Sequence, residues 1–336
     1  MVSIKDIAKY CGVSTATVSK ALNDQADISK ATKDAVRKAA AELGYVVNTG
    51  ARALKTNKTF NIGILYAGAE PGLTHEYFSL ILESFKSTVE KKGYDVTFVN
   101  NKINGNFAGY LEHCRYRNFD GVAVITADYT DPEIARLCSS GLPVVTIDYA
   151  FGSCASVVSD NTYGMKTLTE YVLGKGHRDI VMIHGENTEV TRNRINGFAA
   201  ALRSAGIKIA EGTLVESPYH DIESCYVVTR NLLRERKKLP TCIMFPDDYS
   251  YIGGYRAITE ADLKIPDDIS AVGYDQIGMA NVFGLTTFDQ DSASIGRLAA
   301  DKLLRVIEDP EGYKEHSIVI GRLMERKTVK NITAAE

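Results

Sequence analysis

A short stretch near the start of the chain, Ser14-Thr15-Ala16-Thr17-Val18-Ser19-Lys20-Ala21-Leu22-Asn23, carries side chains whose types and spacing suit the reading of a nucleic acid. With Val18, Ala21 and Leu22 turned inward, the helical period puts Ala16, Ser19, Lys20 and Asn23 on the opposite face and Thr15 at the leading end. Such a helix laid in a major groove brings Thr15 and Ala16 to base edges first, Ala16 offering only apolar contact such as that to a thymine methyl, and lets Lys20 reach a guanine or a phosphate. Ser14, Thr17 and Ser19 are placed to hold the helix on phosphates. The pattern alone also fits a small three-helix interaction module. Enzyme chemistry is not expected: the chain has no GxSxG, GxGxxG or GxxxxGK[ST] pattern, and His75-Glu76 lacks the second histidine of HExxH. Gly174-Lys175-Gly176 reads as a helix end and not as a phosphate loop.

The elements that must position these residues begin with local signals. Ser3 and Asp6 form an S-x-x-D signature ahead of Ile4, Ile7 and Ala8, and Gly12 ends that helix. Ser14 caps the second helix, which Asn23-Asp24 closes. Ser29 caps a third, with Val36, Ala39, Ala40 and Leu43 inward and Gly44 beyond its end. The result is a helix-turn-helix plan within an all-α N-terminal domain. From Phe60 onward, apolar runs at Ile62–Tyr66, Val96–Val99, Val122–Ile125, Val144–Ile147, Ile180–Ile183, Cys242–Phe245 and Ser270–Gly273 alternate with helical stretches. The helical stretches are His75–Lys92, Ala108–Asn118, Met165–Leu173, Asn193–Ala205, Ile222–Glu235 and Tyr249–Glu260. This texture predicts an α/β body of two lobes, each a doubly wound parallel sheet, with the ligand cleft outside the carboxyl ends of the strands.

Composition agrees with two jobs on one chain. Residues 1–58 carry ten Lys/Arg against five Asp/Glu, a net of +5, which leaves −8 for the remainder of a chain whose total is −3. A basic head on an acidic body suits a head that meets phosphates. The six cysteines are far apart with no CxxC pair, so free thiols are expected, with no zinc site, other metal or cofactor. No run approaches the roughly 18 apolar residues of a membrane span, and Met1-Val2-Ser3-Ile4-Lys5-Asp6 lacks the order of a signal peptide, so no membrane contact and a cytoplasmic, nucleoid-associated location are expected.

The segment from Ile4 to Asn23 resembles the opening signature of the LacI/GalR family of bacterial repressors, and the likeness runs on through Ala51-Arg52-Ala53-Leu54, Ser159-Asp160-Asn161, Gly176-His177-Arg178-Asp179-Ile180, Arg194-Ile195-Asn196-Gly197-Phe198, Val272-Gly273-Tyr274-Asp275, Leu285-Thr286-Thr287-Phe288 and Leu323-Met324-Glu325-Arg326. The resemblance implies a helix-turn-helix head over residues 1–47, a hinge helix and linker over 48–58, and a periplasmic-binding-protein-like effector and dimerisation body over 59–330. It also implies operator contacts from Ala51, Leu54 and Lys55, with Leu54 at the position of the leucine that wedges into the minor groove. A helix over 48–55 is shorter than the roughly 12 to 15 residues of a marginal isolated helix, so it would fold only on bent DNA; a passive linker is the plainer alternative. Val47 stands where relatives often have proline, and Gly50 weakens such a helix by about 1 kcal/mol relative to alanine.

In the body, Arg194 and Asp275 match the family's ligand-binding arginine and aspartate, a donor fork and a charged acceptor that suit sugar hydroxyls or a purine edge. Tyr77 and Phe78 open the body's first helix, where relatives place aromatics against a ligand ring. Asp148, Asp160 and Asn161 fall near strand ends as further polar contacts, although either aspartate could instead cap a helix. Asp247 replaces the family's usual asparagine, and a carboxylate there favours hydroxyl-rich or cationic ligands over phosphorylated ones. Gln290 adds an amide from the crossover strand. These residues predict a regulator, most simply a repressor, whose affinity for palindromic double-stranded operator DNA is set by a small-molecule effector, with a sugar as the first choice. The alternative is a repressor that needs a purine-like corepressor or a phosphoprotein partner. A homodimer is expected, since palindromic half-sites need one and too few residues follow Thr328 for a tetramerising zipper.

Overall fold

Ser3, Ser14 and Ser29 each stand one residue before a helix in the computed structural model, which describes residues 2–45, 58–67, 72–310 and 313–333. The helices are Ile4–Cys11, Thr15–Leu22 and Lys30–Glu42. The Asp6 carboxylate accepts from the Ser3 main-chain N–H at 2.8 Å and its hydroxyl at 2.7 Å. Ser14 and Ser29 accept from the N–H groups of Thr17 at 3.0 Å and Thr32 at 3.2 Å. Ile7, Ala8, Val18, Ala21, Val36, Ala39 and Ala40 form the buried core of the head, as the helical period predicts. The expected hinge, with Val47, Gly50, Ala51, Leu54 and Lys55, lies outside the described residues.

The chain divides into two compact units, Met1–Thr59 and Phe60–Glu336. The second has the two parallel sheets that the alternation predicts. One runs in the order His316–Val319, Ala155–Ser159, Val144–Ile147, Gly121–Thr126, Asn61–Tyr66, Asp95–Phe98, with every pair parallel. The other runs Ser270–Val272, Cys242–Met244, Ile180–His184, Leu214–Glu216, again all parallel. Their central strands are buried on both faces because helices cover both sides, which is why they read as unbroken apolar runs.

Three crossings join the lobes. The chain leaves the first lobe after Ser159, returns after Asp289 to form the helix Ser292–Glu308, and leaves again after Val319. That 17-residue helix escapes the sequence reading although Asp291 caps it and Ile295, Ala299, Leu303 and Val306 repeat at helical spacing. It packs on Ile81 and Phe85 of the first lobe's core. A Cβ at Gly296 would lie 2.2 Å from the Ile81 carbonyl oxygen, so glycine is what lets the two helices come this close. Two helices also begin a turn earlier than periodicity indicates, Asn161–Gly174 and Glu189–Ser204, since Asp160 and Thr188 cap them through the N–H groups of Tyr163 at 2.8 Å and Thr191 at 3.2 Å. Among the described residues no helix is long and apolar enough to cross a membrane.

Candidate functional site

On the head, Ser14, Thr15, Ala16 and Asn23 are exposed, while Thr17, Ser19 and Lys20 are half-buried. Thr15 and Ala16 thus stand free at the leading end of their helix. Thr17 Oγ1 pairs with Ser14 Oγ at 2.9 Å, so both hydroxyls serve the cap first. Asn23 Nδ2 donates to the Ser19 carbonyl at 2.7 Å, and Lys20 is ion-paired with exposed Asp27, a contact that a phosphate can displace at little cost. Ala16→Asp, which sets a carboxylate against the phosphate field without touching the head's core, should lower operator affinity by about 100-fold and leave effector affinity unchanged. Fluorescence anisotropy on a labelled operator and calorimetry with the effector measure the two effects separately.

In the body a cleft of about 400 Å³ opens between the lobes. The first lobe supplies Tyr77 and Phe78 from the start of the helix Glu76–Glu90, Asp128 and Tyr129 from beyond the strand Gly121–Thr126, and Asp148 and Tyr149 from beyond Val144–Ile147. The second supplies Asn187 to Val190, Arg192 and Arg194 around the start of the helix Glu189–Ser204, then Tyr219, His220, Asp275 and Gln290. Loops at the carboxyl ends of parallel strands converge here, as the fold class requires.

Arg194 is the best-held group in the cleft. A Cβ at Gly197 would lie 2.3 Å from the Thr162 carbonyl oxygen, and this close helix pairing brings Arg194, one turn earlier, against Asn161. Arg194 Nε donates to Asn161 Oδ1 at 2.8 Å and Nη1 to the Pro246 carbonyl at 2.8 Å. The guanidinium lies 3.8 Å over the Tyr274 ring and 5.4 Å from that of Tyr219. Burial works against its charge, but Tyr219, Tyr274 and Asp275 outweigh that and raise its pKa. Asp275 sits 3.8 Å from Arg194 Nη2, and its Oδ1 accepts from Gln290 Nε2 at 2.6 Å. Burial pushes Asp275 up to about 6, against the pull of Arg194.

Asp148 has a backbone φ of 62° and a carboxylate turned inward. Its Oδ2 accepts weakly from the Tyr77 hydroxyl at 3.4 Å, while Oδ1 is inaccessible and makes no full hydrogen bond among the described residues, the Ser159 main chain being a polar group that favours the carboxylate. Burial raises its pKa to about 6, with Arg194 lowering and Asp275 raising it in turn. A buried acceptor with an unfilled lone pair beside a fixed guanidinium suits a ligand carrying hydroxyl donors.

Of the nine expected effector contacts, Tyr77, Phe78, Asp148, Arg194, Asp275 and Gln290 line the cleft, whereas Asp160, Asn161 and Asp247 do not. Asp160 caps a helix, and Asn161 braces Arg194 from behind. Asp247 is fully buried; Oδ1 accepts from the Ser250 N–H at 2.7 Å, and Oδ2 from the His220 N–H at 2.9 Å and the Ser250 hydroxyl at 2.8 Å. Its carboxylate is therefore spent on the protein, whereas that of Asp148 lines the cleft. Tyr129, Tyr149, Tyr219 and His220 escape the sequence reading; Tyr129 and Tyr149 stack with centroids 5.0 Å apart. Their only sequence signal is position just beyond strand ends.

A family model described as bacterial regulatory proteins, lacI family, matches residues 3–48, and one described as a periplasmic binding protein-like domain matches 169–329. The HTH-type transcriptional repressor PurR of Haemophilus influenzae is 32% identical over 341 residues, covering 99% of this chain and 100% of that protein. A crystal structure of the lac repressor dimer bound to operator and the anti-inducer ONPF is 26% identical with a TM-score of 0.82, covering 98% of this chain and 99% of its own. A LacI family regulator from Enterococcus faecium with bound ribose is 26% identical with a TM-score of 0.70, covering 81% of this chain and 100% of that one. Likeness over the full length of a curated relative, with the head and the body each matched in turn, settles the kinship: the chain belongs to the LacI family of bacterial regulatory proteins, a family of DNA-binding transcriptional regulators and not of enzymes.

Proposed function

We propose that this protein is a repressor that grips a palindromic operator as a homodimer and that a sugar closing on the cleft sets its operator affinity. Residues 1–47 read the major groove, 48–58 form the hinge and its linker with Ala51, Leu54 and Lys55 at the operator centre, and 59–330 bind effector and partner subunit; the work is done in the cytoplasm, on the nucleoid. The observation that carries the sugar reading is the pair of buried carboxylates, Asp148 and Asp275, set about a fixed Arg194 with Asp148 Oδ1 making no full hydrogen bond among the described residues. The aromatic rings of Tyr77, Tyr129 and Tyr219 offer faces for a sugar ring. The similar Enterococcus faecium protein, which holds ribose, supports the same class.

A purine-like corepressor is the second reading, favoured by the PurR name of the relatives at 32% identity. The two separate cleanly. Titrating the full chain on its operator with monosaccharides, disaccharides and free nucleobases should show one sugar shifting operator Kd by about 5- to 150-fold, the usual range of allosteric coupling. A nucleobase that tightens the complex while all sugars stay silent would replace the first reading with the second.

Self-association is supported by apolar surface on neighbouring helices. Val282 is 76% exposed, Leu80 43% and Tyr255 38%. The Glu76 carboxylate accepts from the Gly278 N–H at 2.8 and 2.9 Å, and Tyr255 packs on Phe283 at 4.8 Å, so the helices that carry the three side chains touch one another in turn. Val282→Glu should convert the dimer to a monomer in sedimentation equilibrium and weaken operator binding by at least about 100-fold, because one half-site then lacks a tethered partner.

A further inference from the structure

We propose that His75, His220 and Asp275 form a divalent transition-metal site of the zinc class at the seam between the two lobes. His75 belongs to the first lobe, immediately before the helix Glu76–Glu90, whereas His220 and Asp275 belong to the second. One ligand atom from each, a ring nitrogen of either histidine and a carboxylate oxygen of Asp275, lies within 4.8 Å of the other two. Imidazole and carboxylate are the donors that zinc and its neighbours in the first transition row prefer.

His75 gives the strongest sign. It is 1% exposed, and neither ring nitrogen has a hydrogen-bond partner among the described residues. Buried polar atoms left unmet are uncommon, and a bound ion would satisfy one of these two. A neutral imidazole offers a lone pair to an ion. The His75 and His220 rings lie 3.8 Å apart between centroids at 49°, closer than two imidazolium cations would tolerate.

The surroundings supply an outer shell. His220 Nδ1 lies 3.6 Å from Asp247 Oδ2, and the His220 main-chain N–H donates to the same oxygen at 2.9 Å. The Asp247 carboxylate thus lies on the Nδ1 side of His220, where it can serve as an outer-shell partner while Nε2 faces an ion. Gln290 Nε2 orients Asp275 by donating to Oδ1 at 2.6 Å. Ligand atoms stand about 2.0 to 2.2 Å from zinc, so donors spaced by up to 4.8 Å draw together on binding. Since they come from opposite lobes, that movement closes the cleft. The fourth coordination position is left for water or an effector oxygen, and the ion acts as a second input beside the organic effector. This role explains Asp247 as the brace of His220 and not as an effector contact. Three ligands so far apart in sequence make no motif, which is why the spacing of cysteines and histidines predicts no metal.

The test uses the chelator-treated full chain and cobalt(II) alone as the probe, so it does not depend on the effector's identity. Visible absorption of low-coordinate cobalt should grow and saturate at one ion per chain, and zinc should bleach it. His75→Gln and His220→Gln, one from each lobe, should each weaken binding by about 100-fold or more, beyond what loss of an outer-shell partner costs, while thermal unfolding in chelator matches the parent. If one variant does not fold, the other decides. Absence of a saturating band, or a band that survives either substitution in a folded variant, overturns the proposal.

Discussion

Replacing Arg194 with alanine is expected to abolish the effector response, lowering effector affinity by about 1000-fold or more while also destabilising the body. Arg194 joins Asn161, the Pro246 carbonyl and Asp275 at once, and it is almost wholly buried. Removing it takes the donor fork from the ligand and leaves Asp275 as a buried carboxylate without its counter-charge. Breaking a buried pair in this way typically costs about 3 to 5 kcal/mol. Arg194→Lys separates the two effects: it restores a charge near Asp275 and part of the stability, but it cannot reach Asn161 and Pro246 together and so should not restore binding. Calorimetric titration and urea unfolding read the two quantities. An alanine variant that binds effector like the parent would remove Arg194 from the site.

Asp148→Asn should have the opposite effect on stability, raising it at pH 7.5 by on the order of 2 kcal/mol while weakening effector binding by about 100-fold. The sign follows from the shift. Burial raises the Asp148 pKa from 3.8 to about 6, so its contribution to folding is fully present below pH 3.8 and is lost as pH rises through 6. At pH 7.5 the parent carries an ionised carboxylate whose Oδ1 makes no full hydrogen bond among the described residues. Asparagine removes that charge, keeps the shape, and is at ease at a φ of 62°. The advantage should shrink to nothing by about pH 4, where the parent is protonated. Effector affinity of the parent should rise with pH through 6 as Asp148 and Asp275 ionise, and the rise should be shallower in the variant, where Asp275 alone of the two titrates. Chemical unfolding at several pH values, paired with titrations, checks both trends; a variant less stable than the parent at pH 7.5 would show that the ionised carboxylate is satisfied.

What could be read from sequence was local. Ser14 before Thr17, Ser29 before Thr32 and the 3.6-residue repeat of Ile7, Val18, Ala21 and Val36 are self-contained, so the head folds as its residues indicate. The parallel strands were equally visible, because burial on both faces writes unbroken apolar runs. Asp160 and Asp247 were misplaced for a physical reason: an aspartate near a strand end and ahead of a helix can cap the helix or face the cleft, and only the fold decides. Here the N–H groups of Tyr163 and Ser250 take them. Tyr129, Tyr219 and His220 stand in loops, where neither period applies. Arg194 and Asp275 came from family resemblance, and the fold brings them together in the cleft.

Two kinds of site therefore meet on one chain, an exposed helix end that can read bases and a buried cleft whose charges are held ready for a small ligand. Their joint claim is sequence-specific DNA binding. Selecting tightly bound fragments of the source genome with the full chain, at near-physiological salt and with and without cell extract, tests it most directly, since ionic strength decides how much nonspecific binding survives. Base reading by Thr15, Ala16 and Lys20 with Leu54 at the centre predicts recovery of one palindrome with a central CG step, lost in the Ala16→Asp variant. Recovery of fragments with no shared sequence under both conditions would contradict it.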